Sequence, residues 1–125
     1  MSRVSVRYII HDVPAAVRFY TSHLGFSVET DASPAFAAVA RDGVRLLLSG
    51  DGSSGKRPLP DGRLQEPGGW NRLNIEVSDL ASEVARLRAE GVPFRMEEIV
   101  TGPGGAQILI DDPSGNAVEL FQPRS

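Results

Sequence analysis

Residues 111–123, DDPSGNAVELFQP, carry the signals from which the fold of this chain can be predicted. Pro113, Ser114 and Gly115 indicate a turn, and the residues that follow alternate as a short strand. That strand places one carboxylate, Glu119, among apolar neighbours. Because an ionised group away from water needs a partner, Glu119 is a candidate centre of a binding site.

Length and composition exclude several classes of protein. A chain of 125 residues fits one domain with its own core. The 13 basic and 16 acidic residues form no run of one sign, so we expect neither nucleic acid nor a membrane as a partner. The lack of cysteine excludes disulfides and Cys-ligated metals. With no signal-peptide pattern at the N-terminus, we expect a cytoplasmic protein that takes a small molecule or a protein partner.

The first half of the chain reads as one strand, one helix and three further strands. Asp12 is placed to cap a helix over about 13–24, and Asp42-Gly43 is typical of a tight hairpin turn. Alternating β-branched and aromatic residues predict the strands, which are 4–10, 26–29, 35–41 and 44–49. Residues 50–69 are rich in Gly, Pro and Ser and are predicted to be a linker or a flexible lid.

The second half repeats this order of elements. Asp79 is placed as the second helix cap and Gly91 ends that helix. The predicted strands are 73–77, 93–97, 105–110 and 117–121. We therefore predict two tandem βαβββ modules, over about 1–50 and about 70–125.

Two stretches resemble the vicinal oxygen chelate superfamily, which includes glyoxalases, bleomycin resistance proteins and extradiol dioxygenases. They are residues 111–123 and residues 8–26, YIIHDVPAAVRFYTSHLGF. The resemblance implies an α+β fold in which residues 1–125 form a single domain, with a curved mixed sheet around a cleft and the helices on its outer face. It also implies a homodimer. Fold alone does not choose among the activities of this superfamily.

Strand alternation separates an apolar face from a polar one, and we assign the apolar face to the helices. The polar face is expected to line the cleft that the resemblance implies; a solvated face is the alternative. Phe121 shares the face of Glu119, and Trp70 stands just before the second module's first strand. The predicted ligand-binding residues are Ser5, Arg7, Arg45, Ser49, Trp70, Arg72, Asn74, Glu119 and Phe121.

Metalloenzymes of the superfamily present His and Glu from the first and fourth strands of each module. The matching positions here hold Ser5, Arg45, Arg72 and Glu119, so only one of the four is a metal ligand. A guanidinium offers no lone pair and stays charged, and we therefore predict no metal and no cofactor. His11 and His23 are expected at the surface or near a helix cap, and a displaced site built from His11 and Glu119 is the alternative.

These residues favour metal-independent binding of a polar or anionic small molecule, as in bleomycin-resistance-type sequestering proteins. A second hypothesis is an enzyme, either a cofactor-free isomerase or lyase with Glu119 as general base or a metal-dependent glyoxalase or dioxygenase with displaced ligands. A third is a structural ion pair between Glu119 and Arg45 or Arg72, and a fourth is a module whose edge strands pair with a partner protein.

Overall fold

The computed structural model describes residues 3–124, which divide into two compact units, one up to Gly68 and one from Gly69 onward. The first unit contains four strands and one helix. They are β1 (Ser5–Ile9), α1 (Val13–His23), β2 (Ser27–Ala32), β3 (Phe36–Arg41) and β4 (Val44–Ser49). A short 3₁₀ turn (Ser54–Lys56) follows β4.

The second unit has the same order of elements. They are β5 (Leu73–Glu76), α2 (Leu80–Ala89), β6 (Val100–Gly102), β7 (Gly105–Asp111) and β8 (Ala117–Pro123). In each unit the first strand pairs in parallel with the fourth, and the remaining pairs are antiparallel, giving the orders β1-β4-β3-β2 and β5-β8-β7-β6. The predicted α+β fold of two tandem βαβββ modules is confirmed, with the strands arranged as two four-stranded mixed sheets.

Both helices begin at the predicted aspartate caps. The Asp12 carboxylate accepts a hydrogen bond from the Ala15 N–H at 3.1 Å, and Asp79 accepts one from the Ser82 N–H at the same distance. Each carboxylate thereby satisfies a donor that has no partner inside the first helical turn.

Each helix covers the apolar face of its own sheet. In the first unit Tyr8 and Leu48 are buried, and the Tyr8 ring meets the Tyr20 ring of α1 edge-on at 6.5 Å. In the second unit the Leu80 N–H at the start of α2 donates to the Gln122 side chain at 2.8 Å. The assignment of the apolar faces to the helices is confirmed. Glu119 lies three residues from Gln122 along β8, so its side chain points to the opposite side of the sheet.

The turn between β3 and β4 has the geometry that Asp42-Gly43 predicts. Asp42 has φ 51° and Gly43 has φ 80°, both in the left-handed region that this kind of hairpin turn requires. At the outer edge of the same sheet, all six residues of β2 are exposed. The pairing of β2 with β3 shifts register between Val28 and Thr30, which marks a bulge.

The predicted strand over 93–97 is wrong in position. Phe94 makes only an isolated bridge to Ile110, and the strand that pairs with β7 is Val100–Gly102. The hairpin is set by the Pro103-Gly104 turn, because Gly102 and Gly105 pair directly on either side of it. The strand therefore adjoins this turn and not the end of α2.

Asp79 makes the stability of the second unit depend on pH. Hydrogen bonds from the Ser82 hydroxyl and N–H hold the pKa of this carboxyl below its ordinary value. A group with a lowered pKa in the folded chain stabilises the fold above its ordinary pKa, and that contribution is lost as the pH falls through the folded pKa. Asp79→Asn keeps a capping oxygen but does not titrate in this range.

We expect wild type to have the higher thermal midpoint at about pH 6 and the difference from D79N to shrink toward about pH 2.5. Circular dichroism melts over this range measure it. Glu66→Gln, an exposed carboxylate in the first unit, is the matched control for the charge change. A difference that stays constant with pH would contradict the assignment to Asp79.

Candidate functional site

The polar face of the second unit brings four predicted site residues onto one side of the sheet. Asn74 lies opposite Glu119, and Phe121 lies two residues further along β8 on the same face. Arg72 precedes β5, and its Nε donates to Glu119 Oε1 at 3.0 Å. Because Glu119 is only 7% exposed, this ion pair supplies the partner that its charge needs.

Trp70 lies next to this ion pair. The Trp70 backbone carbonyl accepts a hydrogen bond from Arg72 Nη1 at 3.1 Å. The Trp70 side chain does not pack into the core, because the residue is 71% exposed. Its ring stacks on the Arg95 guanidinium, whose central carbon is 5.0 Å from the ring centroid. Trp70 is therefore an exposed aromatic residue with one fixed cationic neighbour.

Arg95 was not predicted as part of the site. It donates to the Asp111 carboxylate at 2.9 Å and to the Gly69 and Gly115 carbonyls at 2.8 and 2.9 Å. These bonds tie the segment before β5 to the turn between β7 and β8. The signal that could have found Arg95 is Asp111, which pairs with Ala117 and so shares the face of Glu119.

The polar face of the first unit contains two hydrogen-bonded pairs of predicted site residues. Ser5 lies opposite Arg45 in the parallel pair, and Arg45 Nε donates to the Ser5 hydroxyl at 3.0 Å. Arg7 Nη1 donates to the Ser49 hydroxyl at 2.7 Å. Guanidinium groups thus link the parallel-paired part of each sheet: Arg7 and Arg45 in the first unit, and Arg72, just before β5, in the second.

The segment after β4 folds back onto this face. Gly55, in the 3₁₀ turn, lies so close to Arg7 and Ser49 that an added Cβ would overlap the Arg7 guanidinium and lie 2.7 Å from Ser49 Oγ. Lys56 Nζ donates to the Ile10 carbonyl at 3.1 Å and pairs with Asp51 at 2.7 Å. The start of the predicted linker is thus folded against Arg7 and Ser49.

A cavity of about 320 Å³ lies beside this turn, within the first unit. Its lining includes His11, Lys56, Leu64 and Glu66. His11 is exposed, as predicted, and His23 lies in the last turn of α1 with its ring 5.5 Å from that of Phe19. The two histidines therefore lie in different surroundings within this unit.

A family model described as the Glyoxalase/Bleomycin resistance protein/Dioxygenase superfamily matches residues 3–120, nearly the whole chain. The chain belongs to this superfamily. The resemblance seen in residues 8–26 and 111–123 is confirmed.

Two curated superfamily relatives are each named putative glyoxylase CFP32, one from Mycobacterium bovis and one from Mycobacterium tuberculosis. Each is 30% identical over 112 residues, a match that covers 89% of this chain but 41% of the relative. The chain therefore spans less than half the length of these two relatives.

Two solved structures share the superfamily fold over almost their full length. TnmS3, an antibiotic binding protein from Streptomyces sp. CB03234, is 26% identical with a TM-score of 0.74, covering 99% of this chain and 98% of TnmS3. A superfamily member from Sphaerobacter thermophilus DSM 20745 is 25% identical with a TM-score of 0.76, covering 98% and 97%.

The residues at the superfamily's metal positions do not fit a divalent cation. In the first unit Ser5 already accepts a hydrogen bond from the Arg45 guanidinium, and in the second Glu119 accepts one from Arg72. A fixed positive charge beside each position repels a metal ion. Over residues 3–124 no group of three or more His, Cys, Asp or Glu side chains could hold a metal.

No helix between residues 3 and 124 is both long and apolar enough to cross a membrane.

Gly55→Ala tests the packing of the 3₁₀ turn on Arg7. The added methyl group would overlap the Arg7 guanidinium, so the turn must lift or Arg7 must move. The Lys56 N–H donates to the Ser53 carbonyl inside this turn. We expect its hydrogen exchange to accelerate by roughly tenfold, because a lifted turn opens more often. Exchange measured by NMR reports it.

Gly104→Ala is the matched control, because a Cβ at that position meets open space. Adding Arg7→Ala to G55A removes most of the overlap and is expected to slow the exchange again. Unchanged exchange in G55A itself would show that the turn does not rest on Arg7.

Proposed function

We propose that this chain binds a polar, anionic small molecule without a metal ion. The observation that carries the proposal is the Arg72–Glu119 pair on the polar face of the second unit. A guanidinium has five N–H donors, and Arg72 donates two hydrogen bonds within residues 3–124, to Glu119 and to the Trp70 carbonyl. Three N–H groups are left for a ligand, on a side chain that is 28% exposed.

Glu119 gives this guanidinium a fixed direction. Its Oε1 accepts from Arg72 Nε, which fixes the plane of the guanidinium, and the unpaired N–H groups within residues 3–124 are one on Nη1 and two on Nη2. Paired N–H groups of this kind match carboxylate and phosphate oxygens. Asn74, opposite Glu119 on the same face, adds an amide that both donates and accepts. Arg72, held by Glu119, and the Asn74 amide together suit an anion that also carries neutral polar groups.

The first unit offers a second guanidinium of the same kind. Arg45 is half-buried and donates one hydrogen bond, to Ser5, within the described chain. Arg7 donates a hydrogen bond to Ser49 beneath the 3₁₀ turn. In this proposal both residues contact a ligand when the turn moves away from them. We predict that a ligand contacts the following residues of the first unit: Ser5, Arg7, Arg45 and Ser49.

The comparisons support binding as the type of function. TnmS3, which is 26% identical to this chain, is described as an antibiotic binding protein. The name putative glyoxylase belongs to relatives that this chain matches over 41% of their length, so that activity is not carried over. A homodimer, which the family resemblance implies, and a cytoplasmic location remain predictions.

Anion binding at Arg72 predicts opposite effects of two substitutions. With cyclohexanecarboxylate as the probe, Arg72→Met is expected to weaken binding by at least tenfold, because the charge-assisted hydrogen bonds are lost. Glu119→Gln is expected to strengthen binding by roughly three- to tenfold, because it removes a negative charge beside the probe and keeps an amide oxygen that can accept from Arg72 Nε. NMR titration of the full chain measures both affinities.

Arg86→Met is the control, since Arg86 lies on α2 and pairs with Glu83 and Glu90. It removes the same charge without touching the polar face. Equal weakening by R72M and R86M would mean that the probe responds to net charge only, and the proposed site would be wrong. Weaker binding in E119Q would mean that the orientation of Arg72 by the carboxylate contributes more than the removed negative charge, and the expected direction of this effect would be wrong.

Metal content tests the other half of the proposal. The chain is purified without chelator, offered zinc, nickel, manganese and ferrous iron, and analysed for bound metal. We expect far less than one ion per chain, because Arg72 and Arg45 keep cations from the positions beside them. One ion per chain that is lost in E119Q would overturn metal-independent binding.

A further inference from the structure

We propose that Trp70 and Arg72 form a site for a planar aromatic acid, with the ring of the ligand on the free face of Trp70 and its carboxylate on Arg72. This ligand class rests on the binding function proposed above and makes it more specific. The site is built entirely within the second unit.

Trp70 is held in place although it is exposed. Arg95 stacks on its ring at 5.0 Å, and Arg72 Nη1 bonds to its carbonyl at 3.1 Å. Arg95 is itself fixed by Asp111 and by the carbonyls of Gly69 and Gly115. A surface tryptophan without such contacts loses side-chain freedom when a ligand binds, which costs affinity. Here that freedom is already restricted in the free chain.

The exposure of Trp70 lies on the side away from Arg95. The residue is 71% exposed although a guanidinium covers one face of its ring, so the opposite face and the ring edges are accessible. An accessible indole face of this kind stacks well against another flat ring.

The charge of the ligand then decides which aromatic molecules fit the site. Arg95 places a positive charge behind the indole, and Arg72 places another beside its backbone. Asp111 and Glu119 pair with these two charges, so selection rests on the unpaired N–H groups of Arg72, which donate to a carboxylate and find no acceptor in an ammonium group. Arg72 bonds to the backbone carbonyl of Trp70, so its guanidinium lies beside that residue, and the proposed ligand spans from its unpaired N–H groups to the indole. A carboxyl group attached directly to an aromatic ring satisfies both.

Arg95 acts as a positioning residue and not as a ligand contact. Its Nε and both terminal nitrogens are used by Asp111, Gly69 and Gly115 within the described chain. Its effect on a ligand passes through the orientation of Trp70. Removing Arg95 should therefore weaken the binding of aromatic acids more than the binding of aliphatic acids.

The chain contains a single tryptophan, so its indole N–H gives one signal in the NMR spectrum of the full chain. Three probes are compared: naphthoate, the shape-matched cation naphthylmethylammonium, and the non-aromatic acid cyclohexanecarboxylate. We expect naphthoate to shift the Trp70 indole signal in a saturable way and to bind roughly tenfold more tightly than cyclohexanecarboxylate. We expect the cation to leave the signal unmoved.

Two variants test how far the preference for naphthoate depends on the Trp70 ring and on the orientation of that ring by Arg95. Trp70→Ala should remove the tenfold advantage of naphthoate over cyclohexanecarboxylate, and Arg95→Met should reduce that ratio to roughly threefold or less. In the free chain, R95M should also shift the Trp70 indole signal, a readout that needs no ligand. Arg86→Met is the matched control for loss of charge. If R95M does not fold, Asp111→Asn loosens Arg95 without removing it.

The outcomes separate this ligand class from the binding function on which it rests. If both acids bind equally through Arg72 and the indole signal does not move, the aromatic site is wrong and anion binding stands. If neither acid binds, both proposals are overturned. If the cation binds as well as naphthoate, the charge argument fails. Naphthoate binding that depends on Trp70, Arg72 and Arg95 supports the site.

Discussion

The parallel pairing of the first and fourth strands in each unit is the constraint on which the remaining structure depends. It brings residues 40 and 45 positions apart into register, Ser5 with Arg45 and Asn74 with Glu119. Because side chains alternate strictly along a strand, this register decides in one step which residues meet the helix and which form the polar face. A slip of one residue would bury Glu119 under α2 and expose Leu120.

The charges on the polar faces follow from that register. The nearly buried Glu119 has an ion-pair partner because Arg72 lies within hydrogen-bonding distance on the same face. The Ser5 position in the first unit carries no charge, and its Arg45 neighbour donates to a hydroxyl. The guanidinium thus comes from the fourth strand in one unit and from just before the first strand in the other. Both arrangements present N–H donors where metalloenzymes of the superfamily present metal ligands.

The features that could be predicted from the sequence are those set by local chemistry. The helix caps Asp12 and Asp79, the alternation of the strands and the Asp42-Gly43 turn each depend on neighbours within a few residues. Arg95 and Gly55 could not be found in this way. Arg95 acts through Gly69, Asp111 and Gly115, and Gly55 matters because Arg7 and Ser49 lie beneath it. The prediction for the strand before β7 is wrong because it omits the Pro103-Gly104 hairpin turn. This turn sets the register of the strand.

The outer strand β2 is an exposed edge of the first unit's sheet, where another protein molecule can pair with the backbone in concentrated solution. A fully exposed edge strand presents unpaired backbone groups that can add to the sheet of another molecule, which leads to aggregation. Here the bulge between Val28 and Thr30 breaks the regular spacing of those groups. Asp31, whose pKa is lowered by hydrogen bonds from Ser33, keeps its negative charge on the same edge down to acidic pH, so two such edges repel each other. The bulge and the charge of Asp31 thereby disfavour edge-to-edge association.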